Sequence, residues 1–215
     1  MARRYRSIFP GHPHHVIQRG NRRQQVFFSD EDRYFYLKSM REKCDKYAVK
    51  ILAYCLMGNH VHLVLVPSSW KSLALAVGES HKTYTKMINK REKWRGYLWQ
   101  GRFLSFILGE VYFWTVMRYV ELNPVRAKIV ERAEDYRWSS ARAHVQGAED
   151  SILDQVDLLP NWRNILRSDL SAEDLQKIRL SCSSGQPLGD EKFLNILKND
   201  QGIDWMPKKR GPKPG

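Results

Sequence analysis

The strongest constraint on the fold is the stretch "VKILAYCLMGNHVHLVLV" at 49–66, where two apolar runs rich in β-branched residues are separated by Gly58 and Asn59. Glycine and asparagine tolerate the tight backbone of a two-residue turn, so the segment predicts a β-hairpin. Its flanks decide the rest. Upstream, "SDEDRYFYLKSMREKCDKYA" opens with Ser29 three residues before Asp32 and an acidic first turn, and carries Leu37, Met40, Cys44 and Tyr47 at helical spacing. Downstream, Leu73, Ala76, Val77, Tyr84 and Met87 or Ile88 form the inner stripe of a helix over about 70–90. Outside these, "PHHVIQR" at 13–19 and "RFLSFIL" at 102–108 read as strands. The order β-α-β-β-α-β predicts an α+β fold, a ferredoxin-like split βαβ sandwich with an antiparallel sheet and two helices on one face. The other face is left for something else.

A further helix, "EVYFWTVMRYVEL", is predicted to end at Asn123-Pro124, because proline lacks an N–H and restricts the residue before it. Asn123 as cap and Pro124 as first helical residue would open a short helix, "PVRAKIVER". Later come "SAEDLQKIRL" with Ser171 as cap and "DEKFLNILKN" with Asp190 as cap, joined by the linker "SCSSGQPLG" at 181–189. Three parts are therefore expected: a main domain at 1–148, a helical appendage at 149–206, and a tail at 207–215, "PKKRGPKPG", too poor in apolar groups to fold.

Charge follows the same division. Residues 1–148 hold 26 Lys and Arg against 12 Asp and Glu, a net of +14, whereas 149–206 carry a net of −5 and the tail +4. A basic body of this kind meets nucleic acid most often, because neutralising phosphates releases condensed counterions. The three cysteines, Cys44, Cys55 and Cys182, are far apart and form no C-x-x-C, which argues against a disulfide framework or zinc knuckle. The start "MARRYRSIFPGHP" has no apolar run behind it, and no stretch approaches the ~18 apolar residues that span a bilayer. A cytoplasmic, nucleoid-associated protein with no membrane partner is expected. The sequence has no G-x-x-x-x-G-K-[ST] loop, so no nucleotide cofactor is expected either.

Two histidines, His60 and His62, stand one residue apart at the start of the second hairpin strand. In a strand they share a face, about 6 to 7 Å apart along the backbone at ~3.3 Å per residue. Either one caps the hairpin while the other sits in the core, or both converge on one divalent ion. Two ligands are not a site, and a third must come from elsewhere. Tyr119 and Asn123, four apart, lie on one face of the later helix. A tyrosine hydroxyl is a candidate nucleophile, weak while protonated at an ordinary pKa of about 10. His12, His14 and His15 read as polar residues at a strand edge.

Residues 81–97, "HKTYTKMINKREKWRGY", interleave Lys82, Lys86, Lys90, Arg91, Lys93 and Arg95 with Tyr84, Trp94 and Tyr97. Basic groups beside aromatic platforms suit unpaired bases, stacking being worth about 1–3 kcal/mol per base. The alternative is a solvated helix face followed by a loop.

"NHVHLVLV" followed about sixty residues later by "MRYVELNPVRA", with "WQGRF" at 99–103 and "YRWSSARAH" at 136–144, resembles the HUH single-tyrosine transposases, the IS200/IS605-like group, and most closely its REP-associated tyrosine transposase branch. The resemblance covers roughly residues 10–145. It implies that His60, His62 and Asn123 bind Mg2+ or Mn2+, and that Tyr119 attacks single-stranded DNA to form a 5′-phosphotyrosine. Insertion-sequence relatives typically have Gln where this chain has Asn123. It also implies recognition of hairpin DNA, for which Arg3, Arg4, Arg6, Arg19, Arg22 and Arg23 are candidates beside Lys82, Lys86, Lys90, Arg91, Trp94 and Arg95. Members of this branch are expected to act as monomers with the tyrosine in cis, whereas insertion-sequence relatives form dimers. Other readings are a non-cleaving hairpin-binding regulator and a rolling-circle-type replication initiator.

Overall fold

The structure, a computed structural model of the protein, describes residues 8–201. Arg3, Arg4 and Arg6 and the expected basic tail at 207–215 lie outside the described residues. The sheet contains β1 (His14–Arg19), β2 (Val49–Met57), β3 (His60–Pro67) and β4 (Leu104–Ile107). Its order is β2-β3-β1-β4, and every pairing is antiparallel. With α1 (Asp30–Lys46) between β1 and β2, and α2 (Ser72–Glu92) between β3 and β4, this is the split βαβ sandwich that the element order predicts.

Helix α1 starts where expected: Ser29 Oγ accepts from Asp32 N, and Asp32 Oδ2 accepts from Ser29 N, so two orphan N–H groups are satisfied reciprocally. The hairpin turns at Gly58-Asn59, bringing Met57 opposite His60 and Cys55 opposite His62. Alternation then sorts the side chains. Val16, Leu56, Val61, Leu63 and Leu65 face α1 and α2 in one core with Tyr36, Met40, Leu73 and Tyr84. Ile17, Ala53, Cys55, Val64 and Phe106 face the other way.

That second face is covered. It packs against Val116, Met117 and Val120 of α3 (Glu110–Glu121), and against side chains of α5 (Ala141–Gln146), α6 (Trp162–Arg167) and α7 (Ala172–Ser184). Between α3 and α5 lies the single turn α4 (Asn123–Arg126), and α8 (Glu191–Gln201) follows α7. The segment expected as an appendage runs back over the body. Asp154 Oδ2 accepts from Ile51 N at 2.8 Å and from Arg41 Nη1 at 2.7 Å. Leu188 bridges Leu108 in parallel, with Leu188 N donating to Ile107 O and Gly109 N to Leu188 O.

Three local expectations are corrected. β1 is a central strand, so His14 and His15 are not at an edge; both are fully buried, while His12 is exposed. The linker expected at 181–189 is shorter, because α7 continues through Ser184 until Gly185, at φ +73, caps it with its N–H on Ser181 O. Asn123 is the first residue of α4 and not its cap, a position held by Leu122. Among the described residues no helix is long and apolar enough to cross a membrane.

Candidate active site

The alternation of β3 turns His60 and His62 towards α3, with ring centroids 5.0 Å apart. Each ring has one nitrogen already engaged. His60 Nδ1 lies 2.6 Å from Asn59 Oδ1, and Asn59 Nδ2 donates to Arg23 O at 3.1 Å, which fixes that amide with its oxygen towards the imidazole. His60 Nδ1 is therefore the N–H, and its Nε2 keeps a lone pair. His62 Nδ1 lies 2.8 Å from His15 Nε2, so its Nε2 is unengaged, and the hydrogen between the two rings can belong to either. Burial, helped by the Arg19 and Arg126 charges, lowers the His60 pKa to about 4. Burial first, then His15 and His60, holds His62 well below its usual value. Both imidazoles are neutral at pH 7, the state in which they ligate.

Helix α3 brings the phenol to them. Val116, Met117 and Val120 dock the helix on the sheet, and Tyr119, only 9% exposed, stands with its ring centroid 5.7 Å from His62 and 5.9 Å from His15. Burial raises the Tyr119 pKa above 10.0 and Cys182 adds to this, while the charges of Arg126 and Arg179 oppose it. Arg126, one turn into the α4 segment, places its guanidinium carbon 4.0 Å from the centre of the Tyr119 ring and donates from Nη1 to Tyr119 O at 2.8 Å. Asn123 is 9% exposed, and its Nδ2 is buried with no hydrogen-bond partner among the described residues.

His60, His62, Tyr119 and Asn123 line one cavity of about 670 Å³, rimmed by the cations Arg19, Arg102 and Arg179. The donor set suits a hard or borderline divalent cation: two neutral imidazoles whose Nε2 atoms are unengaged, and the buried Asn123 amide, whose carbonyl oxygen would be the ligating atom. Among the described residues no group of three or more His, Cys, Asp or Glu side chains is placed to hold a metal ion, so the third donor here would be the amide of Asn123.

The profile of the family described as "Transposase IS200 like" matches residues 9–123, more than half of the chain, from just before β1 to the asparagine after α3. The chain belongs to the IS200-like transposase family. A Haemophilus influenzae protein classed with the REP-associated tyrosine transposases is 23% identical over 122 residues, which cover 52% of this chain and 69% of that one. A solved structure of a REP-associated tyrosine transposase bound to a REP hairpin superposes with a TM-score of 0.57 at 19% identity, covering 80% of this chain and 96% of that one; at this identity the likeness establishes the fold.

The basic candidates of this transposase fall into separate places. Arg19 is at the cavity. Arg22 and Arg23 are exposed on a turn over Asn21–Arg23, both in the left-handed region at φ 52 and 61, an arrangement that L side chains adopt at a cost. Lys82 and Lys86 line a second groove, of about 550 Å³, with Tyr97, which is 85% exposed. The loop at 96–102 serves both sites: Gly96, Tyr97, Leu98, Trp99 and Gly101 face the groove, and Gln100 and Arg102 face the cavity. Lys90 and Arg95 are exposed, and Trp94, 45% exposed, packs edge-on against Phe28. Arg91 is engaged elsewhere. It forms a two-pronged ion pair with the buried Asp32, which bonds back to the Ser29 cap of α1, and a 2.6 Å bond to Glu92.

Sequence reasoning missed His15, Arg102, Arg126 and Arg179. Arg126 was findable, since it follows Tyr119 by seven residues, two helical turns. Arg179 had no signal, lying in an acidic region far along the chain.

Proposed function

We propose that the chain is a metal-dependent single-stranded DNA endonuclease and strand transferase that acts on hairpin-forming repeat DNA through a 5′-phosphotyrosine at Tyr119. One observation carries the reading: two imidazoles with unengaged Nε2 atoms and a buried phenol from a distant helix open into the same cavity. The rim of Arg19, Arg102 and Arg179 supports it, since a phosphodiester needs cations around it.

In the proposed reaction the Tyr119 oxygen attacks phosphorus in line, the Tyr–O–P bond forms, and the bond from phosphorus to the 3′ oxygen breaks. The phenolic proton is lost and the leaving oxygen takes up a proton as a 3′-hydroxyl. One phosphodiester replaces another, so rejoining runs by reversal without ATP. His60, His62 and Asn123 would hold Mg2+ or Mn2+, which when bound supplies Lewis-acid polarisation and orientation of the scissile phosphate. Arg126 stabilises negative charge on the phenol oxygen as it develops. With nucleophile and histidines supplied by one chain, a monomer acting in cis is the proposed state.

The test is a single-stranded hairpin oligonucleotide incubated with the protein and Mg2+ or Mn2+, with the covalent adduct read on a denaturing gel. Tyr119→Phe is expected to keep DNA binding and lose the adduct, and His60→Ala to lose metal-dependent cutting while remaining folded. An adduct that survives Tyr119→Phe moves the nucleophile elsewhere.

A further inference from the structure

His15 is fully buried beneath the candidate cation site, and the mechanism above gives it no task. Its Nε2 lies 2.8 Å from His62 Nδ1, the rings are stacked at 5.0 Å and 26°, and Phe106 and Tyr119 close around it edge-on. Its other nitrogen, Nδ1, is buried with no hydrogen-bond partner among the described residues.

Two neutral imidazoles that touch through one nitrogen each can share only one hydrogen between them. In one arrangement His15 Nε2–H donates, and His62 then carries its hydrogen on Nε2 and has no lone pair for a ligand. In the other His62 Nδ1–H donates to His15, and Nε2 of His62 is bare. The second arrangement puts the remaining hydrogen of His15 on Nδ1, where it meets no acceptor, and the first leaves Nδ1 a bare acceptor with no donor; a buried unpaired group carries a cost either way. Cation binding at His62 Nε2 would stabilise the second arrangement.

We infer that His15 is a positioning residue of the cation site, accepting the Nδ1 hydrogen of His62 so that this ring offers its bare Nε2. The inference rests on the reading of His62 as a ligand. It gives the pair a parallel: Asn59 does for His60 what His15 does for His62, each with an acceptor on Nδ1. Such outer partners fix ring orientation and tautomer, and their loss typically lowers metal affinity about 10–100-fold.

The test is Mn2+ affinity of the full chain, read by the EPR signal of the free ion, without DNA or turnover. His15→Phe keeps a flat buried ring and removes the acceptor, and about a 10–100-fold loss is expected. His15→Gln offers an amide oxygen instead, and recovery of most of the affinity is expected. His62→Ala separates the two readings. If it leaves Mn2+ affinity unchanged, the ligand assignment fails; if it abolishes binding while His15→Phe has no effect, only the inference about His15 fails. A variant-free measurement guards against misfolding: nitrogen chemical shifts of the imidazoles in the native protein report the tautomer. Saturating Mg2+ is expected to leave His62 protonated at Nδ1, and His62 found protonated at Nε2 under those conditions overturns the proposal.

Discussion

The guanidinium carbon of Arg126 lies 4.0 Å from the centre of the Tyr119 ring, close enough for the cation to sit on the aromatic face. Burial pushes the phenol above its ordinary pKa, and this cation is among the groups that pull it back. A desolvated cation–π contact is worth about 2 kcal/mol. Arg126→Gln is therefore expected to slow adduct formation about tenfold or more and to move the rise of the rate to higher pH. Single-turnover adduct formation followed between about pH 6 and 10 checks this. An unshifted profile would falsify the role.

Glu121 is fully buried two residues after Tyr119, and three donors converge on its carboxylate: Ser140 Oγ at 2.6 Å, His144 Nδ1 at 2.5 Å and Trp162 Nε1 at 2.8 Å. Glu121→Ala leaves His144 Nδ1 and Trp162 Nε1 without an acceptor, and breaking a buried network of this kind costs about 3–5 kcal/mol. A melting temperature lower by roughly 10 °C is expected for a chain of this size. Differential scanning calorimetry reads it directly.

Acid should destabilise the fold through the histidines under α3. Burial lowers the His15 pKa to about 3, and His60 is lowered to about 4. The unfolded chain takes up protons below about pH 6.5 that the folded one refuses, so stability is lost as pH falls from 6.5 towards 4. His15 alone contributes about 1.4 kcal/mol per pH unit over that range. The melting temperature should fall with pH there, and more shallowly in His15→Phe.

Arg91 and Tyr97 are expected to part company. Tyr97→Ala removes an exposed platform and should weaken single-stranded DNA binding by about 1–3 kcal/mol. Lys86→Ala should reduce the salt dependence of binding by about one phosphate contact. Arg91→Ala is expected to lower thermal stability, because it unpairs the buried Asp32, and to change DNA affinity less than either. Fluorescence anisotropy at several salt concentrations, beside a melt, distinguishes them.

Much of this site was legible because it is local. The spacing of His60 and His62 fixes a common strand face, and the spacing of Tyr119 and Asn123 a common helical one. The Gly58-Asn59 turn and the Ser29 cap announce their elements directly. What was not legible depends on register and return paths. Nothing in "PHHVIQR" says that β1 is central, so His15 passed for an edge residue although it touches His62. The ion pair of Arg91 with Asp32 joins residues on two helices whose packing no local pattern encodes. Arg179 reaches the cavity because α7 folds back over β4, a route set by Leu188 bridging Leu108.

The loop at 96–102 stands between the groove of Lys86 and Tyr97 and the cavity of Tyr119, lending residues 96–99 and Gly101 to the first and Gln100 and Arg102 to the second. A polymer gripped on one side and cut on the other has to climb over it. In the proposed reaction that crossing would act as a ruler, its span setting how many nucleotides separate the bases being held from the bond being broken. Lengthening the loop would displace the cut along the strand while leaving the grip unchanged.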